Sequence, residues 1–407
     1  MEIYLVGGAV RDAFLDYPTE EQDWVVVGAR PEQLLTLGYQ QVGKDFPVFL
    51  HPETKQEYAL ARTERKLGHG YTGFSVDCDP SVTLEEDLKR RDLTINAMAQ
   101  SQDGRLIDPY GGRADLEARK LRHVSDAFVE DPLRVLRTAR FAARYHHLGF
   151  TVAPETLALM TDIVRQGELA HLPAERIWIE TDRALGERHP EIYINLLRQC
   201  GALQALIPEV DALFGVPQPQ QHHPEIDAGD HVLRALAASS RLNAPNESRF
   251  AVLLHDLGKG VTPSDGLPRH INHESAGLPL VEAVCKRLRA PALYRDIAVA
   301  VCGHHLLCHR AFELRGKTLL TLLESVDALR RPERFEAFLL ACEADARGRL
   351  GREDGDYPQA DYLRQALVAV QQVGAADIPQ PAPQGKALGE AIRAERARRL
   401  EALRPGT

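Results

Sequence analysis

Apolar and polar positions divide this chain into two regimes. Over the first ~120 residues, short apolar runs sit next to glycine. Glu2–Val6 and Trp24–Gly28 read as strands, with Gln56–Ala61 and Arg105–Asp108 as weaker ones. From Leu121 onward the period becomes helical: Val135, Leu136, Ala139, Ala142 and Ala143 recur at helix spacing, and strand signals almost vanish. The pattern predicts an α+β fold, a mixed sheet at the N-terminal end followed by all-helical segments. Two breaks interrupt the helical part. Gly215–Pro224 is rich in Pro and Gln, and Gln371–Gln384 carries Pro379, Pro381 and Pro383. A basic helical tail, Ala391–Leu403, follows, and no solenoid-type repeat is visible. The expected division is 1–120, 121–224, 225–330 and 331–407.

At 407 residues the chain is too long for one ordinary core, in keeping with two to four domains. Hydrophobic residues at 44% and charged residues at 26% match a soluble globular protein. No apolar run is long enough to span a bilayer, and the first residues lack a signal-peptide pattern, so a cytoplasmic protein with no membrane partner is expected. The cysteines at 78, 200, 285, 302, 308 and 342 form no C-x-x-C pair, which argues for reduced, mostly buried thiols. A net charge of −9 argues against coating nucleic acid by bulk charge, but leaves room for a local basic track.

Four elements carry candidate chemistry in the first third. Gly7-Gly8-Ala9-Val10-Arg11-Asp12 joins a strand to a helix. Glycines there let backbone N–H groups approach an anion, and Arg11 adds a fork for phosphate. A tight turn alone also wants glycines. Glu21-Gln22-Asp23 precedes a strand, where residues two apart face the same way, so Glu21 and Asp23 can hold Mg²⁺ against a nucleotide's phosphates. An isolated pair would read as a solvated acidic turn. Lys89–Ala97 offers Arg90, Arg91, Asp92 and Asn96 for a ribose and triphosphate, or a helix start capped by Asp92. In Glu130–Arg140, Pro132 suits a first helical position with Asp131 as the N-cap. Arg134, Arg137, Arg140 and Arg144 then share one stripe with no acids among them, a pattern suited to a polyanion.

These four elements, in this order, resemble the class II tRNA nucleotidyltransferases of the DNA polymerase β superfamily, and the resemblance spans essentially the whole chain. The matching segments are Gly7–Asp12, Arg90–Asp92, Asp108–Gly112 and Glu130–Arg134. The resemblance implies a polymerase β-like head followed by helical neck, body and tail. It also implies addition of CCA to the tRNA 3′ acceptor end from CTP and ATP. It assigns base selection to Asp131 and Arg134, and triphosphate and base contacts to Gly8, Arg11, Arg91, Arg137 and Arg140. Thr63–Asp87, with Gly68, Gly70 and Gly73, matches the family's loop that tunes the switch from C to A. The family has Asp-x-Asp where this chain has Glu21-x-Asp23. The longer Glu side chain is expected to weaken Mg²⁺ catalysis and to tolerate Mn²⁺ better.

A second candidate lies at His255-Asp256, closing the apolar run Phe250–Leu254, with His231 upstream and His270, His273, His304 and His305 downstream. Imidazole and carboxylate donors at long spacing suit a transition metal such as Ni²⁺, Co²⁺ or Mn²⁺. A lone histidine on an apolar face is usually structural; a His-Asp doublet followed by Leu-Gly-Lys-Gly is more specific. This part resembles the HD phosphohydrolase domain fused to the transferase in one bacterial group. His231, His255 and Asp256 match, and His305 stands where relatives carry a later Asp. The resemblance implies phosphatase and 2′,3′-cyclic phosphodiesterase activity. Four rival readings are a poly(A) polymerase of the same superfamily, a partial enzyme adding only CC or only A, a phosphohydrolase with a degenerate head, and a silent tRNA-binding protein. A monomer or a homodimer is expected.

Overall fold

The computed structural model describes residues 1–18, 22–42, 48–66, 74–221, 223–379 and 383–404. Contacts gather into two compact units: Met1–Thr181 with Leu196–Ala205, and Asp182–Asn195 with Leu206–Thr407.

The first unit opens with β1 (Glu2–Val6), α1 (Gly8–Phe14), β2 (Asp23–Val27), α2 (Pro31–Thr36), β3 (Gln40–Val42), β4 (Val48–Leu50) and β5 (Glu57–Leu60). Next come β6 (Thr63–Lys66), β7 (Phe74–Asp77), α3 (Leu84–Lys89), β8 (Ala99–Ser101), β9 (Leu106–Ile107), α4 (Gly112–Glu117) and β10 (Lys120–Leu121). A seven-stranded mixed sheet runs in the order β3-β4-β5-β2-β1-β8-β9. β1 is antiparallel to β2 and β8, whereas β2 is parallel to β5. Side chains alternate across a strand, so Val25 and Val26 enter different cores. Val25 packs with Val6, Leu88 and Ala99, and Val26 with Leu34, Phe49 and Leu60. A sheet buried on both faces leaves its strand ends and loops for chemistry. Thr83 and Glu86 cap α3 reciprocally, with Glu86 N–H donating to Thr83 Oγ1 at 3.2 Å and Thr83 N–H to Glu86 Oε2 at 2.8 Å.

α5 (Leu133–Tyr145) follows. It begins one residue later than the expected Pro132, yet Leu133 N–H still donates to Asp131 Oδ1 at 3.1 Å. β11 (Thr151–Val152) pairs in parallel with β10. The chain continues through α6 (Pro154–Arg165), α7 (Ala174–Leu185), α8 (Pro190–Gln199), α9 (Ala202–Leu206) and α10 (Pro208–Asp211).

The second unit is helical: α11 (Ala228–Arg241), α12 (Asn246–Leu254), α13 (His273–Leu288), α14 (Ala292–His309), α15 (Gly316–Ser325), α16 (Pro332–Gly348), α17 (Pro358–Gln371) and α18 (Lys386–Ala402). α11 packs on α16, α12 on α14 and α15 on α18. The Pro/Gln-rich segment read as a loop is tied down: Gln218 is buried and its N–H donates to Ile226 O at 2.7 Å. Two arginines of α18 are ion-paired across the unit, Arg393 with Glu324 and Arg399 with Asp377, and Arg399 also with Glu395 on its own helix. Among the described residues the six cysteines form no disulfide, and five of them are buried. Among the described residues no helix is long and apolar enough to cross a membrane.

Candidate active sites

In the first unit the strand register sets the geometry. Asp23, the exposed first residue of β2, lies opposite Val6, the last residue of β1. Gly7 follows at once with φ 68°, a backbone conformation that L side chains rarely adopt. A Cβ on Gly7 would also stand 2.9 Å from Arg91 Nη1. A carboxylate, a glycine turn and the candidate Arg91 are thus neighbours. Glu21, and Gly68, Gly70 and Gly73 of the tuning loop, lie outside the described residues.

Behind the turn runs a buried polar chain. Arg11, 4% exposed, forks onto both oxygens of Asp12 at 2.8 Å and donates to Asn96 Oδ1. Asn96 Nδ2 donates to Asp92 Oδ1 at 2.9 Å, and Arg137 Nε to Asp92 Oδ2 at 2.8 Å. Glu180 of α7 takes Arg140 Nε at 2.7 Å, with Arg137 Nη1 3.7 Å away. Burial opposes the charge on Asp92, but Arg137, Asn96 and Arg134 outweigh it and hold the carboxyl well below the usual range.

The structure gives these side chains partners that the sequence did not show. The arginine stripe of α5 has no acids within it, yet Asp92 and Glu180 supply them from other elements, so Arg137 and Arg140 are ion-paired. Arg11 is buried against Asp12 and does not point an open fork at solvent. Asp92 does not cap a helix: it accepts Leu93 N–H at 2.8 Å beside the short 3-10 turn Thr94–Asn96 and anchors Arg137. Asp131 pairs with Arg176 at 2.9 Å, and Arg134 donates to the carbonyls of Ala127 and Arg90. Gly8 opens α1, and Arg91 is held by Asp87 at 3.2 Å.

In the second unit a denser cluster forms from five helices. α11 brings His231, the end of α12 His255 and Asp256, the start of α13 His273, α14 His305 and His309, and α16 Asp345. All are buried except His309, whose side chain is 13% exposed. A Cβ on Gly258 would overlap the carbonyl oxygen of His273, so glycine lets the turn after Asp256 press against the start of α13. His231 Nε2 is 3.0 Å from Asp345 Oδ1, and His255 Nε2 is 3.1 Å from Asp256 Oδ2 and 3.8 Å from Asp345 Oδ1. Asp256 Oδ1 is 3.3 Å from His273 Nε2 and 3.7 Å from His305 Nε2.

Donor chemistry shows what this cluster can hold. The Nδ1 atoms of His255, His273 and His305 sit 2.7, 2.8 and 3.0 Å from the carbonyls of Val252, His270 and Val301. A neutral ring that donates there presents a bare Nε2 lone pair to the cluster. His273 Nε2 and His305 Nε2 then face each other at 3.4 Å, with Asp256 Oδ1 beside them. His255 Nε2 and Asp256 Oδ1 are buried and make no well-aligned hydrogen bond, although Asp256 Oδ2 and His273 Nε2 stand 3.1 and 3.3 Å from them. Convergent acceptors with so few donors suit a cation. The donors form two trios, His231–His255–Asp345 and Asp256–His273–His305, and His231 also belongs to a third with His223 and Glu225. Lys259 Nζ, 2.6 Å from Asp256 Oδ2, is the nearby positive charge. Burial lowers His255, yet Asp256 and Asp345 raise it to about 8, whereas burial holds His305 at about 3.

The expected ligands His231, His255, Asp256 and His305 therefore all meet. Asp345, which the sequence did not single out, joins His231 and His255, while His305 faces Asp256 and His273. His273 was named only as a downstream histidine. Asp345 carried one readable signal, being a charged residue in phase with the apolar stripe Phe338, Ala341, Cys342 and Gly348 of α16.

Comparison with known proteins matches three stretches of the chain. Residues 3–122 fit the family described as "Poly A polymerase head domain", 149–214 that of "Probable RNA and SrmB- binding site of polymerase A", and 229–346 that of "HD domain". Fold and sites define an enzyme with a nucleotidyltransferase head and an HD phosphohydrolase domain on one chain. The multifunctional CCA protein of Teredinibacter turnerae is 59% identical over 404 residues, 99% of this chain and 98% of that protein. That of Thioalkalivibrio sulfidiphilus is 60% identical over 404 residues, 99% of each. The chain belongs to the multifunctional CCA protein family. A Thermotoga maritima CCA-adding enzyme solved in complex with tRNA shares the fold at a TM-score of 0.64 and 19% identity, covering 98% of this chain and 87% of that one.

Proposed function

We propose that the head adds CCA to the 3′ end of tRNA from CTP and ATP without a nucleic-acid template. The observation that carries this reading is Asp23 standing opposite Val6 at the mouth of the Gly7–Gly8 turn. The tRNA 3′-hydroxyl oxygen bonds to the α-phosphorus, the bond to the β-phosphate oxygen breaks, and pyrophosphate leaves. Asp23 with Glu21 would hold Mg²⁺, which supplies charge neutralisation at the phosphates. Gly7 and Gly8 let the chain's backbone N–H groups approach the triphosphate. Arg137 keeps a third of its side chain in solvent and suits direct contact with the nucleotide, while buried Arg11 and Arg140 brace it. Asp131 and Arg134 select the base in this reading by exchanging their present partners for it. The relatives' name and the solved complexes with tRNA, ATP and CTP support the same substrates.

The test is extension of tRNA lacking its CCA end, with CTP and ATP separately and together, resolved at single-nucleotide length. Addition of C, C and A followed by a stop is expected. A growing A tail would move the activity to poly(A) synthesis, and no extension even with Mn²⁺ would remove the transferase reading.

The second unit is proposed to be a phosphatase and 2′,3′-cyclic phosphodiesterase using Ni²⁺, Co²⁺ or Mn²⁺. The convergent acceptors around Asp256 support it. Cyclic phosphodiesterase activity that survives His255→Ala would place the site elsewhere.

A further inference from the structure

The two oxygens of Asp345 have different partners. Oδ1 faces His231 Nε2 at 3.0 Å and His255 Nε2 at 3.8 Å, within the first donor trio. Oδ2 lies 2.7 Å from His309 Nε2 at the end of α14. The other nitrogen of that ring, Nδ1, is 2.8 Å from the hydroxyl of Tyr357, and that hydroxyl is 3.3 Å from Cys308 Sγ. Gln359 Nε2 also donates to the carbonyl of His309 at 3.2 Å.

The distances constrain the chemistry. A contact of 2.7 Å to a carboxylate is in the charge-assisted range, so His309 Nε2 carries a proton and donates it to Oδ2. Nδ1 then accepts from Tyr357 if the ring is neutral, or donates to it if the ring is cationic. In both cases the ring is pinned at both nitrogens and cannot flip. A carboxylate left alone rotates in a broad, two-fold well about its last torsion, so either oxygen, or both, could face a cation. With Oδ2 engaged by His309, Oδ1 is the oxygen turned toward the trio.

We propose that His309 is a positioning residue that presents Asp345 to the bound cation through Oδ1 alone, and that Tyr357 in turn fixes His309. This rests on the reading that the His231–His255–Asp345 trio holds a cation. Outer hydrogen bonds of this kind orient a ligand before the ion arrives, and losing one costs about 10- to 100-fold in cation affinity.

The experiment titrates the full-length, metal-free chain with Ni²⁺ and with Mn²⁺ against a chelating indicator, with no substrate present. Wild type is compared with His309→Ala, His309→Gln and Tyr357→Phe, and the melting temperature of each metal-free variant is recorded. His309→Ala is expected to bind about 10- to 100-fold more weakly. His309→Gln, which keeps a side-chain N–H, is expected to recover most of that loss, and Tyr357→Phe to lose a few-fold. If His309→Ala binds as wild type does, or if its melting point falls while affinity is unchanged, the residue is merely structural and the proposal fails. If His309→Ala does not fold, the Gln and Phe variants decide: wild-type affinity in Tyr357→Phe together with an uncorrected loss in His309→Gln overturns the relay. A wild-type chain that binds neither ion removes the reading of the trio itself, an outcome distinct from failure of His309 alone.

Discussion

Asp345 Oδ1 lies 3.0 Å from His231 Nε2, although 114 positions separate the two residues. A buried carboxylate beside a buried imidazole is costly in isolation, and a shared cation offsets that cost. Asp345→Asn keeps the shape and removes the charge. The expected outcome is a loss of Ni²⁺ or Mn²⁺ affinity of more than about 10-fold, with cyclic phosphodiesterase activity lost and tRNA extension kept. Titration of the metal-free variant checks it, and wild-type affinity would place the ion elsewhere.

The two chemistries should separate by mutation. Asp23→Ala is expected to abolish nucleotide addition and leave hydrolysis of a 2′,3′-cyclic nucleotide within about two-fold of wild type. His255→Ala should do the reverse. Paired assays on one preparation of each variant decide it; loss of both activities from either change would contradict separate sites.

Glu21 is the chain's departure from the family's Asp-x-Asp pair. Octahedral Mg²⁺ demands tight geometry, and one extra methylene moves the carboxylate outward. Glu21→Asp is expected to raise kcat for CTP addition in Mg²⁺ and to narrow the advantage of Mn²⁺. Unchanged kinetics in both ions would show that Glu is accommodated without cost.

Asp92 and Arg137 form an ion pair within the first unit. Removing one partner of a buried pair leaves the other uncompensated, so Asp92→Asn should lower stability by about 3 kcal/mol, the low end for such pairs because Arg137 is partly solvated. The folded-state pKa of Asp92 lies below the unfolded value, so its contribution is fully present above about pH 5 and is lost as pH falls through the folded value. Melting curves of wild type and variant should therefore differ by a constant amount at neutral pH and converge only under strong acid. A difference that vanishes near pH 6 would contradict this.

What the sequence showed depended on whether the partners were local. The glycine turn and the His255–Asp256 doublet are contiguous, and both lie where their surroundings implied. The change from mixed sheet to helix near Leu121 was likewise carried by a change of period over long windows. β3 and β4 were not read, since three residues are too few to display alternation. The partners of the arginine stripe were hidden, because Asp92 and Glu180 lie 45 and 40 positions from Arg137 and Arg140. Asp345 was hidden for the same reason, sitting among the ordinary acids of α16 with nothing adjacent to mark it. Only its phase within an apolar stripe set it apart.

The histidine–aspartate cluster draws on five helices of the second unit, from His231 to Asp345. The trio His231–His255–Asp345 has no partial form: if α16 lifts from α11, the two imidazoles lose the carboxylate of Asp345 at once. A bound ion would thus act as a sentinel for the unit's integrity. Its escape would precede any change in helix content, because detaching one packed helix requires less opening than melting it.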